Sequence, residues 1–231
     1  MKNSSKKNPV TADPEFVKPK NIFFSGMIYS HKDLVGNLYL SKAIKTMSKG
    51  RYKVILQQDL QGIETDPLVI KNSNLTSIRK MDGILISFDG TELDSGTVVE
   101  FITAKLLDKP AVIMRTDFRA GGEADSNERM DHSDPWNLMC SNYPRTETVS
   151  HDAIIMLYQN MVKKYCDDFN RIAQDLTYLV AELIINKLDA AFGQAPVEMP
   201  QGMTRNMLEK WYSKMFTPQV IFLLLIKIGL R

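Results

Sequence analysis

Asp89, Glu92, Asp94 and Glu100 all fall within one short segment, Asp89-Gly90-Thr91-Glu92-Leu93-Asp94-Ser95-Gly96-Thr97-Val98-Val99-Glu100. A carboxylate held rigidly and within reach of a ligand can act as a nucleophile, stabilise a developing cation or move a proton. The same residues also have a structural explanation, because Thr97 and Glu100 spell the T-x-x-E capping box, in which the glutamate closes a helix N-terminus and does nothing more. Position favours chemistry. The run just before the segment, GILISF at 83–88, is nearly continuous apolar sequence, as in a strand covered on both faces of a parallel sheet. A glutamate in the first helical turn after such a strand lies where open α/β sheets bind ligands.

The elements that must position these groups are legible on both sides of the segment. Residues 21–25 (NIFFS) read as a first strand that ends in Ser25-Gly26. Leu34, Val35, Leu38, Leu40, Ala43, Ile44 and Met47 recur at helical spacing over 32–47, and Gly50 follows as a stop signal. A second strand, YKVIL at 52–56, leads into a polar loop through Asp59 and Gly62. Residues 67–80 read as a helix interrupted by Asn72, Ser73 and Asn74. A helix from Thr97 to about Leu107, then Lys109-Pro110 and the strand AVIM, complete a right-handed βαβ unit. Repeated units of this kind predict an α/β fold, a doubly wound, flavodoxin-like parallel sheet with Ser25, Asp59 and Asp89 on the rim at the strands' carboxyl ends.

Residues 117–135 lack periodicity and are rich in Gly, Asp and Ser, so they read as a long loop, either mobile or functional, and a candidate lid. Beyond Ser150, Tyr158, Met161, Tyr165, Phe169, Ile172, Leu176, Leu179 and Leu183 follow a three-four alternation, with no Gly or Pro between Asp152 and Gly193. Unbroken, that helix extends roughly 60 Å at 1.5 Å per residue, so it must bend or find a partner. Pro196 and Pro200 end it, and 203–216 read as one more short helix. The expected organisation is a disordered leader over 1–20, an α/β domain over 21–150 and a C-terminal helical extension over 151–231.

Composition narrows the partners. With 231 residues, 44% hydrophobic and 24% charged, the chain is neither fibrous nor wholly disordered. A formal charge of +2 gives no ground for a nucleic acid polymer or a membrane surface as partner. Cys140 and Cys166, with His31, His132 and His151, match no disulfide framework and no metal-ligand spacing. His31 reads as a solvated loop histidine, and Cys140, without a neighbouring histidine, has no nucleophilic role. The basic N-terminus lacks the apolar core of a secretory signal, which makes a cytoplasmic setting the expectation. The most apolar stretch, VIFLLLIKIGL at 220–230, is about half a membrane span and contains Lys227, so it reads as a docked helix or strand.

Together, Asp89-Gly90, Asp94-Ser95-Gly96-Thr97, Glu100 and Lys109-Pro110 resemble the signature of the nucleoside 2-deoxyribosyltransferases. The resemblance reaches the Ser25-Gly26 turn and the Pro-x-Asn-Leu-Met of Pro135, Asn137, Leu138 and Met139; it covers about 21–150 and leaves out the extension. It implies that Glu100 attacks the anomeric carbon of a 2'-deoxyribonucleoside, the base leaves, and a second base recaptures the sugar. Asp94 then contacts substrate as a second catalytic carboxylate, with Ser25, Gly26, Asp59, Asn74, Asp89, Ser95 and Gly96 lining its site. Asn137 reaches the sugar in a neighbouring subunit's site, which makes the active unit a homo-oligomer, dimer or higher. The ligands are a deoxyribonucleoside and a free nucleobase, with no cofactor and no metal. Three departures stand out. Asn74 occupies the place of an aspartate that helps protonate the departing base, so Asp59 or Asp94 takes that role, or the base leaves with less assistance, or transfer is lost. Phe23 replaces a tyrosine that orients the nucleophile in some members. Roughly 80 residues follow Ser150, whereas some relatives place their C-terminal carboxylate in the site. The alternatives are an N-glycosidase hydrolysing nucleosides or nucleoside 5'-monophosphates, and a non-catalytic nucleotide-binding module.

Overall fold

Apolar runs without polar interruption must be covered on both sides, and the computed structural model shows how this is done; it describes residues 18–60, 66–90, 93–117, 136–151, 154–166 and 168–197. The elements are β1 (Lys20–Ser25), α1 (His31–Met47), β2 (Tyr52–Leu56), α2 (Gln57–Leu60), α3 (Pro67–Lys80), β3 (Gly83–Ser87), α4 (Ser95–Leu106), β4 (Ala111–Arg115), β5 (Thr146–Ser150), α5 (Ile154–Tyr165) and α6 (Phe169–Gly193). The strands form one sheet in the order β2-β1-β3-β4-β5, with every pair parallel. This is the doubly wound, flavodoxin-like α/β arrangement that the alternation of strands and helices predicts. Strand β5 and the short helix α2 are additions to that expectation.

Alternation along the strands divides the core in two. Phe23, Ile84, Ile86 and Ile113 face α3 and α4, in a cluster with Leu75, Ile78, Phe101 and Ala104. Ile22, Phe24, Leu85, Val112 and Met114 face the other way and pack with Leu40 and Ile44 of α1 and with Ala181, Ile184, Ile185 and Leu188 of α6. Asn72, Ser73 and Asn74 do not interrupt α3, which runs from its Asp66 cap to Lys80 without a break.

The long periodic segment after Ser150 bends without glycine or proline. Cys166 takes a left-handed conformation at φ 52, and Asp168 then caps α6 by accepting from the Arg171 amide at 3.1 Å. The expected domain boundary falls between β5 and α5, but the core does not stop there. Helix α6 covers one face of the sheet and is clamped at its far end, where Asp189 accepts from the Tyr52 hydroxyl at 2.6 Å and pairs with Arg51. Among the described residues no helix is long and apolar enough to cross a membrane, and no three His, Cys, Asp or Glu side chains gather to hold a metal ion. Residues 1–17, most of the candidate lid and the expected elements at 203–216 and 220–230 lie outside the described residues.

If α6 is integral to the core, Ile184→Ala lowers stability by about 2–5 kcal/mol in urea unfolding, while Glu182→Gln on the exposed side of the same helix stays within about 0.5 kcal/mol. Equal, small effects of both changes would mean that α6 is peripheral.

Candidate active site

Four elements bring their polar groups to one point on the α3/α4 side of the sheet. Two positions after Phe23, the alternation of β1 puts Ser25 on that side, at the carboxyl end of the strand. Gly26 follows where a Cβ would stand 3.0 Å from the Ser87 Cβ, so the turn leaves β1 in space that only glycine fills without displacement. Gln57 opens α2 directly after β2, Asn74 faces inward from α3, and Glu100 lies in the first turns of α4.

The Ser25 hydroxyl donates to Glu100 Oε2. The amides of Gln57 and Asn74 each donate to Oε1 at 3.2 Å. Glu100 is 6% exposed, and no cation bonds to it among the described residues. Burial therefore dominates, pushing its carboxyl from an ordinary 4.5 up to about 7; the Asp94 charge acts in the same direction, while the bonds from Ser25 and Asn74 oppose it. The charged form is thereby disfavoured by about 3 kcal/mol relative to the unfolded chain. Tyr29, exposed in the loop after β1, has its phenol pKa raised by partial desolvation and then by the charges of Asp94 and Glu100.

The capping-box reading of Glu100 is corrected. Helix α4 begins at Ser95, two residues earlier than expected, and its N-cap is Asp94. Asp94 Oδ2 accepts from the Thr97 amide at 2.8 Å and from its hydroxyl at 2.9 Å. Because Asp94 already satisfies the helix terminus, Glu100 is released to the interior and bonds across the fold to Ser25.

The other expected residues divide between strut and rim. Asp89 accepts from the Thr116 amide at 2.5 Å and the Asp117 amide at 3.1 Å, and Asp117 in turn accepts from the Gly90 amide at 2.8 Å. Asp89 thus ties the end of β3 to the end of β4. Gly90, at φ 119, supplies a turn that other residues rarely adopt. Ser95 and Gly96 are exposed in the first turn of α4, and Asp59 is exposed on α2 and makes no hydrogen bond to Glu100. Exposed Asn137 accepts from the Met139 amide at 2.9 Å and so caps a 3-10 turn, Leu138–Cys140. Phe23 is fully buried. The Lys109-Pro110 pair is structural: the Lys109 ammonium donates to the Arg79 carbonyl at 2.8 Å and to that of Met81, joining the end of α3 to the start of β4. Sequence reading missed Gln57 and Tyr29. Gln57 carried a signal, since it directly follows a buried strand on the ligand rim; Tyr29 carried none.

No family model matches the chain, and no curated protein matches it. Among solved structures it is similar to a conserved protein from Enterococcus faecalis V583, at 22% identity and a TM-score of 0.48, over 64% of this chain and 99% of that one. It is also similar to a 2-desoxiribosyltransferase from Leishmania mexicana, at 26% identity and a TM-score of 0.43, over 63% of this chain and 98% of that one.

Because Glu100 holds its proton more tightly folded than unfolded, it contributes stability that is fully present below about pH 4.5 and is lost as pH rises through about 7. Glu100→Gln, which keeps a carbonyl for Gln57 and Asn74, is therefore expected to melt higher than the parent at pH 8, with the gap closing toward pH 5. A melting difference that does not vary with pH counts against the buried carboxyl.

Proposed function

We propose that this chain cleaves the N-glycosidic bond of 2'-deoxyribonucleosides through a covalent deoxyribosyl ester on Glu100 and passes the sugar to another nucleobase. The observation that carries the reading is the grip on Glu100: a hydroxyl and two carboxamides orient the carboxylate, and none of them neutralises its charge. Neutral donors fix the direction of the lone pairs while leaving the negative charge available to a cationic transition state. The motif residues around Glu100, in the order strand, DG step, D-S-G-T and glutamate, add support from the sequence.

In this reading the bond from C1' to the base nitrogen breaks with its electron pair leaving on the base, and a Glu100 oxygen forms the new bond to C1' from the opposite face. An acceptor base nitrogen then displaces the carboxylate from C1', and its proton returns to the group that protonated the departing base. The departing base needs a proton that the Asn74 amide cannot supply. Asp94 stands close enough to Glu100 to act on it whereas Asp59 is exposed on α2, so of the two Asp94 is the better placed. It can serve only in its carboxylic-acid form, giving its proton to the base nitrogen and becoming a carboxylate. Asp94 is half-buried and Tyr29 exposed, which in this reading leaves both accessible to a nucleoside. The presence of Asn74 in place of an acid favours a second reading, a nucleotide-binding module without turnover.

Intact-protein mass spectrometry after incubation with a 2-fluoro-2-deoxy nucleoside is expected to show one sugar adduct, absent from Glu100→Ala. Base exchange, read as deoxyadenosine formed from deoxyinosine and adenine, should fall about 10³-fold or more in that variant. Free deoxyribose in place of deoxyadenosine would assign hydrolysis; neither product nor adduct would leave the binding-module reading. Since only the ionised carboxylate is a nucleophile, kcat/KM should rise with pH to a plateau, with its midpoint near the Glu100 value of about 7.

A further inference from the structure

A cavity of about 440 Å³ opens at the carboxyl ends of β3 and β4, and Ser25, Gln57, Asn74, Asp94 and Glu100 are not among its lining residues. It lies against the opposite face of the sheet. Leu40 and Met114, on its wall, belong to the α1/α6 core cluster, whereas Glu100 rises from α4 on the other side. Its volume is within the range of small-molecule sites.

Two features of the lining point to a ligand. The first is Gly36, in the middle of α1, where glycine is the least favourable helix former after proline. A Cβ there would meet nothing within 4 Å, so neither a close approach nor a positive φ calls for glycine. Its one visible effect is to leave that wall of the cavity open. The second is a surplus of acceptors. The Asn37 amide nitrogen donates to the Met27 carbonyl at 3.1 Å and to Gln58 at 3.3 Å, while its side-chain oxygen accepts nothing among the described residues. Among the described residues the Asp33 carboxylate accepts only from the Ser30 hydroxyl, at 2.6 Å.

The floor beneath these acceptors is apolar, formed by Leu40, Met114 and Val180. Asp117 is paired with Arg115, which leaves the charges of Asp33 and Asp89 against that of Lys32, a balance unfavourable to a phosphate. We propose that this cavity is a second binding site, separate from the Glu100 site, for a neutral flat heterocycle with N–H donors on its edge, of the free nucleobase class. The inference goes beyond the glycosidic reading and does not depend on it.

Adenine is the probe, with adenosine 5'-monophosphate as the anionic comparison, and the readout is the shift of the Asn37, Thr116 and Thr177 backbone amides in NMR titration. Adenine is expected to shift these amides in the parent and equally in Glu100→Gln, and the monophosphate to bind at least 10-fold more weakly. Gly36→Leu fills open space on a helix, so it should melt at or above the parent temperature while losing adenine binding at least 10-fold. Thr177, whose hydroxyl donates among the described residues only to the Ala173 carbonyl of its own helix, supplies in Thr177→Leu a second variant with the same expectation. Unshifted amides at millimolar adenine, or equal shifts in both filling variants, overturn the proposal. Tighter binding of the monophosphate overturns the assigned ligand class. A failure of Glu100 to form a sugar adduct leaves all of these outcomes unchanged.

Discussion

A carboxylate with no counter-cation among the described residues is the constraint around which this fold is arranged. Glu100 is buried, and an isolated buried charge is costly unless hydrogen bonds replace the lost water. Here the replacement comes from three neutral side chains on three other elements, Ser25, Gln57 and Asn74. A lysine or arginine in their place would bring the carboxyl down and blunt its charge. Neutral donors instead leave it near the midpoint of its titration at neutral pH, pushed there chiefly by burial.

That arrangement requires the ends of the strands to be held in register, and much of the polar chemistry of the segment serves this purpose. Asp89 binds the amides that follow β4, and Asp117 binds the amide of Gly90 in return. Lys109 holds the end of α3 against the start of β4 from the opposite edge. Asp94 closes the N-terminus of α4 and, in doing so, leaves Glu100 free to cross to β1. A single helix cap thus decides whether the glutamate is a local device or part of a shared site.

The other face of the sheet depends on a helix far along the chain. Helix α6 returns beside α1 and buries Ala181, Ile184 and Leu188 against the strands, with the Tyr52–Asp189–Arg51 group fastening its end. Its placement also closes one side of the cavity lined by Leu176 and Thr177, so the same helix that completes the core shapes the space above it.

The strands and main helices could be read directly from the sequence, because uninterrupted apolar runs such as GILIS and AVIMR, separated by amphipathic stretches, admit few other burials. The location of Glu100 and Asp94 at the ligand end of the sheet was legible too, from their place after a buried strand. Their partners were not. Glutamine and asparagine side chains have no periodic signature, and Ser25, Gln57 and Asn74 lie 75, 43 and 26 positions from Glu100. The local T-x-x-E pattern also offered a helix-capping use of Glu100, since local spacing cannot reveal that Asp94 takes the cap. Sequence by itself determined which segments are buried and which end of the sheet carries acid groups; tertiary structure alone decided which donors meet the carboxylate and that α6 belongs to the core, because both are contacts between segments whose separation along the chain carries no local signal.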